Sequence, residues 1–299
     1  MHERLLQRSR IVKAVRDFFH SKGYLEIESP VRLSCPALED YIDAVPAGVT
    51  YGEKQFLRTS PELHLKRFLA ETPESVDKIF QIGSCFRLGE IGCQHQEEFT
   101  MLEWYRLRAD YHDILREMQA LVQQVVKRLD IDVAFRGRKV SVLEEWEVLT
   151  VTDAFKKYAR LSAEQAVKDG VFEELLCEQV EPNLGLDRPL FLIDYPASMA
   201  ALARLSATNP EVCERWELYI GGLELANCYS ELTDAEEQRQ RFLQTAELRR
   251  RDNREVYPID ENFMQALPRL TDCGGVALGL DRLCMVLTDA ETIDEVSFR

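Results

Sequence analysis

A chain of 299 residues is long enough for one large domain or two closely packed lobes. Hydrophobic residues make up 45% and charged residues 30%, a globular composition that excludes wholesale disorder. Against 52 Asp and Glu stand only 37 Lys and Arg, and the net charge of -15 argues against a general nucleic-acid binder.

The chain opens with helical spacing. Leu5, Val12, Val15 and Phe19 share one helical face, and Gly23 supplies the stop. A short strand is predicted from Tyr24 to Ile27, and another from Phe56 to Thr59. Ser60 then reads as an N-cap, with Pro61 at the first helical position of a helix from Glu62 to Ala70. Strands near Lys78 to Arg87 and Glu98 to Leu107 are joined by the turn-rich stretch Leu88 to Glu97, as antiparallel neighbours would be. An amphipathic helix follows from about His112 to Leu129. The stretch from 131 to 190 is the least informative, and holds a capping box at Ser162 and Gln165. Strands recur at Leu190 to Asp194, Trp216 to Ile220 and Leu223 to Tyr229. A charged helix spans about Asp234 to Arg251, and a last strand from Gly274 runs into a helix at Arg282. This order lacks regular β-α alternation. It predicts an α+β fold with a mainly antiparallel sheet flanked by helices.

No apolar run approaches the roughly 18 residues of a membrane helix, and the segment Met1 to His20 lacks the apolar core of a signal peptide. A cytoplasmic protein with no membrane partner is expected. The eight cysteines are scattered without a C-x-x-C pair, as expected of free thiols in a reducing compartment. There is neither a phosphate-binding G-x-x-x-x-G-K loop nor a dinucleotide fingerprint, so a nucleotide site would have to be built from side chains on strands.

Three segments put polar residues where a strand should be apolar. Phe99, Met101, Glu103 and Tyr105 share one strand face, and a carboxylate among aromatics is costly unless it meets a cation. Asn227, Tyr229 and Glu231 share another face by the same parity. Glu217 and Glu224 flank the Gly221-Gly222 turn, and such a pair can bridge Mg²⁺ with phosphate oxygens. Arg87, His95 and Arg282 read as anion clamps. The competing reading of each is an exposed face or a surface salt bridge worth at most about 1 kcal/mol.

Together these segments resemble the three motifs of the class II aminoacyl-tRNA synthetases. The first helix with Gly23, Tyr24 and Pro30 is similar to motif 1, the dimer-forming element. Phe86-Arg87 through His95 to Glu98-Phe99-Thr100 resembles motif 2, and Gly279-Leu280-Asp281-Arg282-Leu283 resembles motif 3. Ser60-Pro61-Glu62-Leu63, Glu98 to Tyr105, and Leu225-Ala226-Asn227 with Ser230-Glu231-Leu232-Thr233-Asp234 resemble the lysine branch. The motif 1 helix begins almost at Met1, so residues 1–299 read as one catalytic domain without the N-terminal OB-fold that recognises a tRNA anticodon. The sequence resembles the family of elongation factor P (R)-β-lysine ligases, paralogues of lysyl-tRNA synthetase. Thr100 to Arg106, Tyr195-Pro196-Ala197-Ser198 and Gly275 to Gly279 carry that likeness. Ser60 and Ala277 replace the Ala and Gly usual in true synthetases.

The resemblance implies ATP and Mg²⁺ as cofactors, a homodimer, and (R)-β-lysine or lysine activated as an adenylate. The acyl group then passes to a lysine ε-amine of elongation factor P. It implies that Arg87 binds the carboxylate and α-phosphate, with Arg87 and Arg282 as the catalytic pair. It places Glu90, His95, Phe99 and Arg282 on ATP, and Glu217 and Glu224 on the metal. Ser60, Glu62, Glu103, Tyr105, Asn227, Tyr229, Glu231 and Ala277 would line the amino-acid pocket. The sequence departs from the family at Leu88-Gly89-Glu90, where the Glu sits one place late. Cys93 and Gln94 stand where an Arg is usual, Gln96-Glu97 replaces Asn-Pro, and Cys228 replaces a Gly beside the expected pocket. The alternatives are a stand-alone adenylate former with another amino acid or acceptor, and a non-catalytic amino-acid sensor. The sensor would be favoured by loss of Arg87, Arg282, Glu217 or Glu224, and all are present.

Overall fold

The computed structural model describes residues 2–298. The eight strands of its large sheet are β1 (Leu25–Glu26), β2 (Lys78–Phe86), β3 (Glu98–Leu107), β4 (Glu147–Thr150), β5 (Leu190–Pro196), β6 (Val212–Ile220), β7 (Leu223–Ser230) and β8 (Cys273–Gly279). Their spatial order is β1-β2-β3-β8-β7-β6-β5-β4. Only the outermost pairs, β1 with β2 and β4 with β5, are parallel. The α+β, mainly antiparallel expectation is borne out. A small sheet of Arg32–Leu33, Pro46–Thr50 and Glu53–Leu57 stands beside it.

One face of the large sheet is greasy throughout. Helices α1 (His2–Ser21), α3 (Tyr111–Leu129) and α5 (Leu280–Leu287) cover it. Ile11, Val15, Phe18 and Phe19 recur at helical spacing on α1 and are fully buried. Phe19 stacks on Phe80 at 4.7 Å and tilts against Trp104 at 5.1 Å. Gly23 ends α1 with φ +77°, the left-handed conformation that a glycine adopts without a Cβ penalty, and the Tyr24 N–H closes back on the Phe19 carbonyl. Asp110 caps α3 through a reciprocal box with Asp113.

The opposite face is covered only in part. Near β2 and β3, helices α2 (Glu62–Glu71) and α4 (Ala235–Arg251) bury Leu65, Leu69 and Phe242 with Ile79 and Leu107. Near β5 and β6, the short helices between 151 and 180 bury Phe155 and Phe172 with Leu192 and Tyr219. The apolar cover stops between these two clusters, over β3, β8 and β7. The cavity described below opens there.

Several local expectations are corrected. The strand placed at Phe56 to Thr59 lies earlier, at Glu53–Leu57, because Arg58 turns inward to donate to Ser29 and Ser84. Ser60 is not the cap of α2. Pro61 occupies the cap position without a side-chain bond, and the Ser60 hydroxyl is buried without a partner. The Ser162 hydroxyl does cap its helix, but Gln165 donates to Asp169 instead of returning to Ser162, so the box is half made.

Candidate active site

The strand registers bring the singled-out residues into rows. Glu103 pairs with Ala277, Ala277 with Asn227, and Asn227 with Glu217, so four neighbouring strands place one row on one face. One step along, Tyr105 pairs with Gly275, Gly275 with Tyr229, and Tyr229 with Arg215. A register shift between Leu218 and Tyr219 leaves Leu225 as the extra residue on β7. This bulge turns Glu224 to the same side as Asn227, although three positions separate them.

These rows floor a cavity of 570 Å³. It is lined by Ser60, Glu62, Arg87, Glu90, His95, Phe99, Glu103, Tyr105, Glu224, Asn227, Tyr229, Glu231, Ala277 and Arg282. Every expected site residue except Glu217 therefore meets in one place.

One end of the cavity is anionic. Glu103 is 1% exposed, its Oε2 accepts the Tyr105 hydroxyl at 3.0 Å, and its Oε1 has no partner. Burial and the neighbouring Glu62 push the Glu103 carboxyl well above the usual carboxylate range. The Glu231 carboxylate is equally buried, with Oε1 unpartnered. Gly275 is the floor beneath both. A Cβ there would lie 2.2 Å from the Tyr105 ring and 2.3 Å from Glu231 Oε1, so only glycine leaves room for the two side chains. Asn227 is held on both sides, donating to the Tyr229 hydroxyl at 3.0 Å and accepting from Arg215 at 3.2 Å.

The other end is cationic. Arg87 lies over the Phe99 ring at 5.1 Å, 3.8 Å from Glu90, with its buried Nε unpartnered. Arg282 reaches the Glu224 backbone carbonyl at 2.7 Å and its carboxylate at 3.3 Å. Its other nitrogen meets His95 Nε2 at 2.6 Å. An arginine only donates, so that ring nitrogen accepts. Desolvation and the Arg282 charge hold the imidazole below its usual pKa. Burial and Glu217 push the Glu224 carboxyl up, against the pull of Arg282. Glu217 stands outside the cavity lining. Its carboxylate takes Arg215 at 2.6 Å and the hydroxyls of Tyr195 and Tyr219 at 2.5 and 2.6 Å. Among the described residues no group of three or more His, Cys, Asp or Glu could by itself hold a metal ion. The Glu224 carboxylate nevertheless lines the cavity with Glu217 near enough to raise its pKa, and Mg²⁺ needs few protein carboxylates, keeping phosphate and water oxygens for its remaining positions.

A profile of the class II tRNA synthetases for D, K and N matches residues 1–298. The chain belongs to that family. It is 38% identical over 312 residues to the elongation factor P–(R)-β-lysine ligase of Proteus mirabilis, covering 98% of this chain and 93% of the relative. The ligases of the same name from Pectobacterium atrosepticum and Haemophilus influenzae are 38% and 37% identical, over the same shares. The resemblance first carried by motif residues thus extends along nearly the whole chain.

The site also holds residues outside those singled out from the sequence. Asp281, within motif 3, is buried at the cavity, accepts the Thr100 N–H at 2.7 Å and pairs with Arg8 of α1. Its neighbour Arg282 drew the attention, although an acid inside an apolar helix start was itself a signal. Lys66 is buried on α2 against Glu62 and Glu231. Its spacing of four from Glu62 was the available signal. Glu39 lines the cavity from a loop, where no periodicity marks it. One departure loses its significance. Cys228 does not border the pocket, because strand alternation turns it to the opposite face, between Trp216 and Val276 in the main core.

Proposed function

We propose that this chain activates (R)-β-lysine, or lysine, with ATP as an aminoacyl adenylate and transfers the acyl group to a lysine ε-amine of elongation factor P. The observation that carries this reading is a single cavity with a cationic end at Arg87 and Arg282, where His95 accepts from Arg282, and a carboxyl-lined end at Glu62, Glu103 and Glu231. A substrate carrying ammonium groups at one end and a carboxylate at the other is complementary to that polarity. In the first step a substrate carboxylate oxygen attacks the α-phosphorus and pyrophosphate leaves. Both reactants are anionic there, so Arg87 is placed to offset the repulsion and the charge that builds up. His95 and Arg282 would hold the outer phosphates once ATP displaces their mutual contact. Phe99 would take one face of adenine. Glu62, Glu103, Tyr105 and Glu231 would receive ammonium groups, with Ser60 and Ala277 shaping the walls and Asn227 and Tyr229 the carboxylate side. Glu224, with Glu217 behind it, would hold Mg²⁺, which supplies further positive charge to the phosphates. In the second step the lysine amine attacks the adenylate carbonyl, AMP leaves, and the amine loses a proton.

The reading takes the chain as one catalytic domain that works in the cytoplasm without anticodon recognition and pairs through α1 as a homodimer. A sizing column at micromolar concentration tests the dimer. The first test of the chemistry is ATP–pyrophosphate exchange with (R)-β-lysine and L-α-lysine. Exchange with the β isomer, followed by a matching mass increase on elongation factor P, is the expected result. Exchange with α-lysine alone moves the reading to a different substrate, and none with either from folded protein defeats it.

A further inference from the structure

Lys66 is 1% exposed and lies outside the cavity lining. Its ammonium contacts Glu62 Oε1 at 2.5 Å and also meets Glu231 Oε2. Both carboxylates line the cavity, and both contact the same buried cation, which does not line it. Glu231 keeps its second oxygen, Oε1, buried and unpartnered beside Tyr105. A carboxylate at this depth keeps its charge only beside a cation.

We propose that Lys66 is a positioning residue for substrate recognition: it holds the Glu231 and Glu62 carboxyl groups in place by contacting both, leaving Glu231 Oε1 to accept a substrate ammonium. The inference rests on the reading of Glu231 as an ammonium partner. Glu62, Glu103 and Glu231 offer three carboxyl groups at this end for the two ammonium groups of a diamino acid. Arg87 at the other end then takes the substrate carboxylate.

The surroundings of Glu231 make Lys66 the decisive group. From its own strand side comes Cys228, from β8 Cys273, from β3 Tyr105 and from α2 Glu62 and Lys66. The two thiols and the phenol are pushed above their usual values by burial, so they stay neutral. Burial, and after it Glu62, push the Glu231 carboxyl up to about 8 against the pull of Lys66, the one neighbour that lowers it. The two carboxylates in turn keep the Lys66 ammonium above its usual pKa against burial. With Lys66 neutralised, Glu231 would hold its proton to higher pH and lose its attraction for an ammonium.

The test is the pH profile of kcat/KM for the amino acid in pyrophosphate exchange, which reports groups of the free enzyme. Lys66→Met keeps length and apolar bulk while removing the charge. Its acid limb is expected to move up by about one pH unit or more. At pH 7 the amino-acid KM should rise about tenfold or more, with kcat and the KM for ATP within about threefold. If that variant does not fold, Lys66→Gln, which retains a donor without charge, carries the same test. An acid limb that stays in place, tighter amino-acid binding, or a uniform loss that includes ATP would overturn the proposal. Glu231→Gln separates the two levels. An unchanged amino-acid KM there defeats the ammonium reading itself. A raised KM there with an unmoved limb in Lys66→Met defeats only the role of Lys66.

Discussion

The two ends of the cavity are built in different ways. At the anionic end, Glu103 and Tyr105 stand on β3 and Glu231 directly follows β7, over a glycine of the strand between them that admits nothing larger, and Glu62 comes from the first turn of α2. At the cationic end, Arg87 and His95 bracket the loop from 88 to 97, which contains the exposed Leu88 and Ile91. That loop is held from outside. Leu88 N–H donates to the Asp43 carbonyl at 2.7 Å, Gln96 to Asp294 at 3.0 Å, and Ile293 N–H to the Cys93 carbonyl at 2.9 Å. Within it, Glu97 accepts the Gly89 N–H at 2.7 Å, so Gln96 and Glu97 give the turn tethers that replace a proline's stiffness. A sheet positions its ligands by local pairing, whereas a loop needs tertiary anchors spread over the chain.

The largest expected effect lies at the cationic end. Arg87→Ala removes the cation proposed to face both the substrate carboxylate and the α-phosphate, and pyrophosphate exchange should fall at least about 10³-fold in kcat/KM. A fall below tenfold would mean that charge at the reacting centre comes from elsewhere. Next in size is Gly275→Ala. The new methyl would push into Tyr105 and Glu231. The amino-acid KM should rise about 100-fold while the KM for ATP stays within about threefold. Equal damage to both constants would show that the two ends do not act separately.

The same contrast explains what could be read in advance. Alternation on β3 put Phe99, Met101, Glu103 and Tyr105 on one face, and β7 followed the same rule with Asn227 and Tyr229. Period-two patterning survives folding because a slip by one residue would expose the core. The rule also determines the fate of Cys228, which parity alone sends to the core. What could not be read was set by distant partners. Arg58 leaves its strand for Ser29 and Ser84. Buried Arg249 fixes the loop of Glu39 and Asp43 from α4 through two backbone carbonyls and one carboxylate. The small sheet and the bulge at Leu225 likewise depend on tertiary pairing, for which local spacing gives no sign.

Glu39 offers a smaller effect on the loop side. Burial pushes its carboxyl up to about 7, despite Arg87. Below the unfolded pKa of about 4.3 both states carry the proton and the group contributes no difference. Between that value and 7 the folded state keeps a proton that the unfolded state has released, so stability falls as pH rises. Glu39→Gln should therefore match the wild type in melting temperature at pH 4 and exceed it at pH 8 by about 2 °C, partial exposure having trimmed the full effect. A gain of equal size at both pH values would assign it to packing.

The smallest effect distinguishes the two faces of a single strand. Cys228 lies between Trp216 and Val276, one residue from Asn227 in sequence and on the other side of the sheet. Cys228→Ala vacates the space of one sulfur, which costs about 1 kcal/mol in a urea melt. Amino-acid and ATP KM values should stay within about twofold, because no cavity atom moves with it. A changed preference between lysine isomers would mean that the core face transmits shape through β7 to Asn227 and Tyr229. It would also return weight to a substrate other than the relatives' β-lysine. An unchanged preference leaves selectivity to the groups that line the cavity, above all Ser60, Ala277 and the carboxylates fixed by Lys66.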